Sequence, residues 1–259
     1  MKILMCWPTT FSVVYSINPW MNPDQPVDLE LAKYQWLELK STIENLGASV
    51  VFLDQHADLP DMVFAANAGI AHNKHVVLSN FRYPERQPER EKFKSWFLNN
   101  GYIVHALPDE LTFEGGGDCF IWKDHLIAGW GYRSDKEAAE RAAELLGLKC
   151  ITLKLQDERF YHLDTCMLVI DDADTCLYYP GAFKDSDIKK LPFNMVPVTE
   201  DDAERFVCNG VKIKNNIIMT KPSASLLKEL EEKRINVVEV ETSEFLKSGG
   251  SARCLVLEI

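Results

Sequence analysis

The feature that most constrains this chain is a recurring pair of short apolar strands around a polar turn. Gly69 to Asn80 turns at Asn73-Lys74, and Cys119 to Gly129 turns at Lys123-Asp124. Cys166 to Tyr179 turns at Asp171-Asp172-Ala173-Asp174, and Val207 to Thr220 turns near Asn215. Each places apolar or β-branched residues on both sides of the turn, the pattern of a β-hairpin. Turns at 74, 124, 172 and 215 recur at intervals of about 43 to 50 residues, which marks a repeat architecture.

Helix signals follow most hairpins. Residues 134–147 are the clearest: Ser134 and Glu137 make a capping box, Ala138, Ala139, Ala142, Leu145 and Leu146 form an apolar face, and Gly147 ends it. A strand over 149–155 follows. Helix 223–234 leads into strand 236–240, and a helix over about 85–100 leads into strand 102–106. Helix 27–46, which starts after Pro26 and stops at Gly47, leads into strand 48–53. Strands 2–7 and 253–259 supply the hairpin of a fifth unit. Five units of roughly 50 residues can close into a ring, which removes sheet edges and leaves a polar axial pocket. No linker or low-complexity segment interrupts them, so a single domain is expected over 1–259. The charged, proline-broken stretch Arg82 to Arg90 is expected to be a surface loop.

A length of 259 residues suffices for a sizeable core. The formal net charge of −11 disfavours nucleic acid and anionic membrane as partners and is compatible with a small cationic substrate. No run approaches the ~18–20 apolar residues of a membrane helix, and the apolar start is too short for a signal peptide. Seven cysteines, an odd number with no Cys-x-x-Cys, argue against a disulfide frame or zinc site and for a reducing cytoplasm. No metal or cofactor is expected, and a homo-oligomer is left open.

Four separated stretches can carry chemistry. Cys254 follows Gly249-Gly250-Ser251-Ala252-Arg253 at a glycine-rich junction before a strand, where a thiol can be exposed; a buried, inert cysteine is the common alternative. His162 and Asp164 are two apart, so on an extended segment they share a face, as an acid/base pair or as a plain surface pair. Glu114 precedes three glycines and Asp118, and the glycines allow backbone to approach a ligand. This is no phosphate loop, because Lys-Ser/Thr is absent and no helix is expected to follow. Asn67 sits in the apolar run Met62 to Ile70, where a polar side chain needs a partner, in the backbone or in a ligand.

Taken in order, Phe113-Glu114-Gly115-Gly116-Gly117-Asp118, His162-Leu163-Asp164 and Gly249-Gly250-Ser251-Ala252-Arg253-Cys254-Leu255 resemble the guanidino-group modifying superfamily. That group includes arginine deiminases, dimethylarginine dimethylaminohydrolases, amidinotransferases and arginine dihydrolases. The resemblance implies a five-bladed α/β propeller. It implies Cys254 as nucleophile, His162 as general acid/base, Glu114 as the carboxylate partnering His162, and Asp164 as the acid that pairs with a guanidinium. Arg86 and Arg133 fall where arginines of the family hold a substrate α-carboxylate, a task suited to a bidentate planar cation. Asn18, in Ser16-Ile17-Asn18-Pro19-Trp20-Met21, and Asp118 complete the expected binding set.

Deiminases and dimethylarginine hydrolases carry Asp where this chain has Asn67. Asn67 and the Asn18 segment look instead like the arginine dihydrolases, which release ornithine. The implied chemistry is attack of a thiolate on the guanidinium carbon, loss of ammonia and hydrolysis of an amidino-thioether, repeated on the ureido group in a dihydrolase. Asn can donate to a ureido oxygen where ionised Asp can only accept. Arginine deiminase, dimethylarginine dimethylaminohydrolase and amidinotransferase are the alternatives within the superfamily. A ribosome anti-association factor of the same fold lacks the Cys, His and Glu set.

Overall fold

The computed structural model describes residues 1–170 and 174–259, so the expected turn residues Asp171, Asp172 and Ala173 lie outside the described residues. The strands are β1 (Lys2–Trp7), β2 (Ser49–Asp54), β3 (Gly69–His72), β4 (His75–Leu78), β5 (Ile103–His105), β6 (Cys119–Trp122), β7 (His125–Trp130) and β8 (Lys149–Lys154). They continue with β9 (Met167–Ile170), β10 (Thr175–Tyr178), β11 (Asn194–Pro197), β12 (Val211–Ile213), β13 (Asn216–Met219), β14 (Asn236–Glu239) and β15 (Val256–Glu258). Among the described residues they form five three-stranded sheets of one pattern: a central strand antiparallel to one neighbour and parallel to the other. Four sheets are consecutive triplets, β3-β4-β5 to β12-β13-β14. The fifth joins the ends of the chain, as β15-β1-β2.

Local chemistry accounts for these elements. Asn73 and Lys74 take φ values of 48° and 66°, the left-handed pair that a two-residue hairpin turn needs to match strand twist. The parallel third strand of a sheet requires a crossover. The helix Leu29–Asn45 is capped by Asp28, whose side chain accepts from the Leu31 amide, and it buries Ala32, Trp36, Leu39 and Ile43 along one stripe. Helices Glu89–Asn99, Lys136–Leu146 and Ala224–Glu232 make the corresponding crossovers in three other sheets. The apolar residues between sheets and helices form several buried clusters. No helix among the described residues is long and apolar enough to cross a membrane.

The structure departs from the sequence reading where the site is built. The helix expected over 134–147 starts at Lys136, with Asp135 at its cap position and no side-chain cap bond. Ser134 is used elsewhere. Its buried face is Ala138, Ala139, Ala142 and Ala143, while Leu145 is 39% exposed. The stretch 82–90 is not a plain surface loop, since Arg86 and Glu89 are buried. The strand β11, short and ending at a proline, carried no usable sequence signal.

Candidate active site

Each sheet begins with an edge strand, β3, β6, β9, β12 or β15, and a tight turn of chain precedes it. Two residues before those strands stand Asn67, Gly117, Thr165, Asn209 and Cys254. The repeat thus delivers five equivalent backbone positions, and four of the nine candidate residues, Asn67, Asp118, Asp164 and Cys254, lie on or beside them.

Glycine makes this possible around residues 115–118, which form one helical turn where no helix was expected. Gly115 has φ 52°, with the Gly69 backbone packed where a Cβ would stand. A Cβ on Gly117 would collide with Asn67 Nδ2 and would stand 3.1 Å from His162 Nδ1. The glycine therefore lets the amide of Asn67 and the imidazole of His162 converge on one spot.

His162 is the cap residue of the helical turn Leu163–Cys166, not part of an extended segment, so its relation to Asp164 differs from the alternation expected. His162 Nε2 lies 2.9 Å from Glu114 Oε2, both groups being buried. Arg133 Nη1 donates to the same oxygen at 3.0 Å, and the Arg82 amide reaches Oε1 at 3.3 Å. Burial favours the neutral acid, but the Arg133 guanidinium and the His162 bond outweigh it and hold the Glu114 carboxyl well below the usual range. An ionised carboxylate only accepts, so Nε2 carries the imidazole proton and Nδ1 is left for chemistry.

Cys254 is buried rather than exposed. Its Sγ lies 3.3 Å from Asp164 Oδ2 and accepts from Asn209 Nδ2 at 3.1 Å. Burial, then the nearby Asp164 carboxylate, push the thiol well above its ordinary pKa. Burial also raises Asp164 to about 7, against the lowering effect of the Arg253 guanidinium and the bonds from Cys254 and Asn209. The Oδ1 of Asp164 is buried without a protein partner.

Cys254, Asn67, Arg86, Arg133 and Asn18 all line one narrow cleft, together with Asp61 and Tyr161. Arg86 donates through Nε and Nη2 to Glu89, through Nη1 to Asn67 Oδ1 at 2.8 Å and through Nη2 to the Asp61 carbonyl. A guanidinium only donates, so the Asn67 oxygen must face it, and Nδ2, buried and without a protein partner, faces the other way. The Arg133 guanidinium lies 4.7 Å from the Tyr83 ring and 4.5 Å from the Tyr161 ring and donates to the Ile17 carbonyl.

Three expected binding residues, Asn18, Asp118 and Asp164, sit differently, and Asp164, like His162 and Glu114, is not among the residues lining the cavity. Asn18 lines the cavity, but its side chain is engaged with Tyr161, the Ser248 carbonyl and the Trp20 amide. Asp118 is not among the lining residues. Its Oδ2 accepts from Ser134 and its Oδ1 from the Leu163 amide, which fixes the start of the His162 turn. Ser134, read as a helix cap, accepts instead from the Glu114 amide.

Sequence reasoning missed Asp61, Tyr161 and Asn209. Asp61 lines the cavity and accepts from the Tyr15 hydroxyl. Tyr161 lines it and donates to the Gly249 carbonyl. Asn209, two residues before β12, stands at the position equivalent to Asn67 and Cys254, and the repeat period could have found it.

With this geometry in place, the comparisons are specific. The family model for eukaryotic N,N dimethylarginine dimethylhydrolase matches residues 18–259. The bifunctional arginine dihydrolase/ornithine cyclodeaminase ArgZ of a Synechocystis species is 41% identical, taking in 100% of this chain. The chain spans 37% of that protein's length. The N(G),N(G)-dimethylarginine dimethylaminohydrolase of Mycobacterium tuberculosis is 37% identical, over 100% of this chain and 85% of that protein. A solved structure of the N-terminal domain of ArgZ, covalently bonded to a reaction intermediate, is 40% identical. It superposes with a TM-score of 0.94 over 99% of this chain and 96% of that one.

Proposed function

This chain belongs to the N,N-dimethylarginine dimethylhydrolase family, and from that premise we propose that it is a cysteine-dependent arginine dihydrolase, converting arginine and two waters into ornithine, carbon dioxide and two ammonia. The observation that carries the reading is Asn67: Arg86 holds its oxygen, and its buried amide nitrogen has no protein partner. A neutral donor there can hold a ureido oxygen through a second attack, which an ionised carboxylate could not. The likeness to ArgZ, an arginine dihydrolase by name, supports it.

The residues divide the work as follows. Arg86 and Arg133 receive the α-carboxylate at the cavity wall, and the guanidinium sits against Asp164. A cation there favours the ionised acid and the thiolate of Cys254. The thiol proton passes to His162 Nδ1 while Glu114 steadies the imidazolium. The thiolate adds to the guanidinium carbon, His162 returns the proton to the departing nitrogen, and ammonia leaves an amidino-thioether. Water, deprotonated by His162, displaces the sulfur and gives the ureido group. A second attack expels the second ammonia and forms a thiocarbamate, and its hydrolysis frees a carbamate that breaks down to ornithine and carbon dioxide.

The same reading takes the five sheets as one closed propeller in a single domain. Ile70, Phe120, Leu168, Lys212 and Leu257, one from each first strand, line a common cavity, as a ring around an axis requires. Incubating purified protein with arginine and counting products tests the activity. Ornithine with two ammonia per arginine is expected. Citrulline as end product returns the assignment to a deiminase, and dimethylamine release from dimethylarginine returns it to the activity by which the family is named.

A further inference from the structure

Asn209 makes more site hydrogen bonds than any single role of a core amide requires. Its Oδ1 accepts from the Ser251 amide at 3.1 Å and from the Cys254 amide at 3.2 Å. Its Nδ2 donates to the Asp164 carbonyl at 3.0 Å and to Cys254 Sγ at 3.1 Å, and its own carbonyl accepts from the Arg253 amide. Two backbone donors on one end and a backbone acceptor on the other leave no freedom to reverse the amide. The residue is fully buried, and it occupies the same place before β12 that Cys254 occupies before β15. Three segments meet in this one side chain: the hairpin start, the nucleophile loop and the turn that carries Asp164.

We propose that Asn209 is a positioning residue for the thiol step: it anchors the nucleophile loop through Oδ1 and aims one N–H of Nδ2 at Cys254 Sγ. A donated hydrogen bond favours the anion over the thiol. The nearby charge on Sγ is that of Asp164, which disfavours the anion, so the amide is the neutral counterweight built into the free enzyme before a cationic substrate arrives. A carboxylate at 209 would keep the loop anchor, since an oxygen still accepts from both amides. It would also turn a second oxygen toward Sγ and the Asp164 carbonyl, where only an acceptor would then face acceptors.

The proposal rests on Cys254 as nucleophile, and its test does not need turnover. The rate of Cys254 alkylation by iodoacetamide, followed by mass mapping of that peptide against pH, reads the thiolate of the free enzyme. In Asn209→Asp the profile is expected to move up by on the order of one pH unit or more, about a tenfold loss of thiolate at pH 7. With arginine, kcat is expected to fall with KM little changed. A role confined to structure would lower the melting temperature and leave the profile in place, and that result in a folded variant overturns the proposal. Asn209→Ser cuts the Sγ bond without adding charge and serves if Asn209→Asp does not fold. It should show the same upward shift, and an unshifted profile overturns the proposal equally. An unchanged iodoacetamide profile alongside normal ornithine production leaves the dihydrolase reading intact and removes only the role of Asn209.

Discussion

The Sγ of Cys254 lies 3.3 Å from Oδ2 of Asp164, and both side chains are almost wholly buried. The thiol donates to the carboxyl in this contact. Burial and mutual repulsion oppose ionisation of the pair, and on the proposed reading a substrate guanidinium against Asp164 would offset both.

This arrangement has a measurable effect on stability. Asp164 is raised to about 7 from an ordinary 3.8. A carboxyl raised in the folded state favours folding when protonated, so its contribution is full below the ordinary value and is lost as pH climbs through about 7. Asp118, raised to about 6 by burial, acts in the same direction. Glu114, held low, acts the other way, and its contribution is lost only in strong acid. Melting curves between pH 4 and 8 should therefore fall less steeply with pH in Asp164→Asn than in the wild type. Parallel curves would show that another group titrates.

Cys254→Ser should abolish turnover while leaving the fold intact, because the exchange is nearly isosteric and the alcohol is far less nucleophilic. A haloacetamidine should label Cys254 and no other cysteine, since Cys254 is the cysteine that lines the cavity with Arg86, Arg133 and Asn67. Peptide mapping after labelling decides this, and a label elsewhere reassigns the nucleophile.

Arg86→Ala should do two things at once. It removes the cavity guanidinium that the proposed reading assigns to the substrate carboxylate, which should raise KM by an amount equivalent to about 2–5 kcal/mol. It also strands Glu89, which is fully buried against Arg86, and leaving one member of a buried pair costs about 3–5 kcal/mol of stability. Adding Glu89→Leu should restore much of the stability and none of the KM. Chemical denaturation with arginine kinetics on the single and double variants separates the effects, and a double variant as unstable as the single one defeats this account.

Asn67→Asp should shift the product from ornithine toward citrulline, because it removes the N–H donor that the proposed reading assigns to a ureido oxygen. The neighbouring Arg86, 2.8 Å from the Asn67 oxygen, would form an ion pair with the new carboxylate, so KM for arginine should rise as well. Quantifying both amino acids after complete conversion tests the first effect. An active variant that still makes only ornithine would place the specificity elsewhere in the cavity.

Much of the architecture was legible because it is local. The turn at Asn73-Lys74, the strand over 2–7 and the stop at Gly147 each depend on a few adjacent residues, and the structure reproduces them. The period of the repeat follows from such signals alone. Ser134 shows the limit of that logic. It carries a capping box signature, yet the tertiary fold brings Asp118 and the Glu114 amide to it, and those bonds take precedence over the cap.

The sequence by itself determined the repeat, the strand and helix types, and the residues with reactive chemistry, since periodicity and side-chain identity need no partner to be read. Only the tertiary structure decided which of those groups face one another. Arg86 turns inward because Glu89 and the Asp61 carbonyl satisfy its charge there. Cys254 meets Asp164 across 90 residues of chain and Asn209 across 45. The burial and the opposing charges that shift the thiol and carboxyl come from these remote neighbours, so the electrostatics of the site exist only after the sheets have brought their leading turns together.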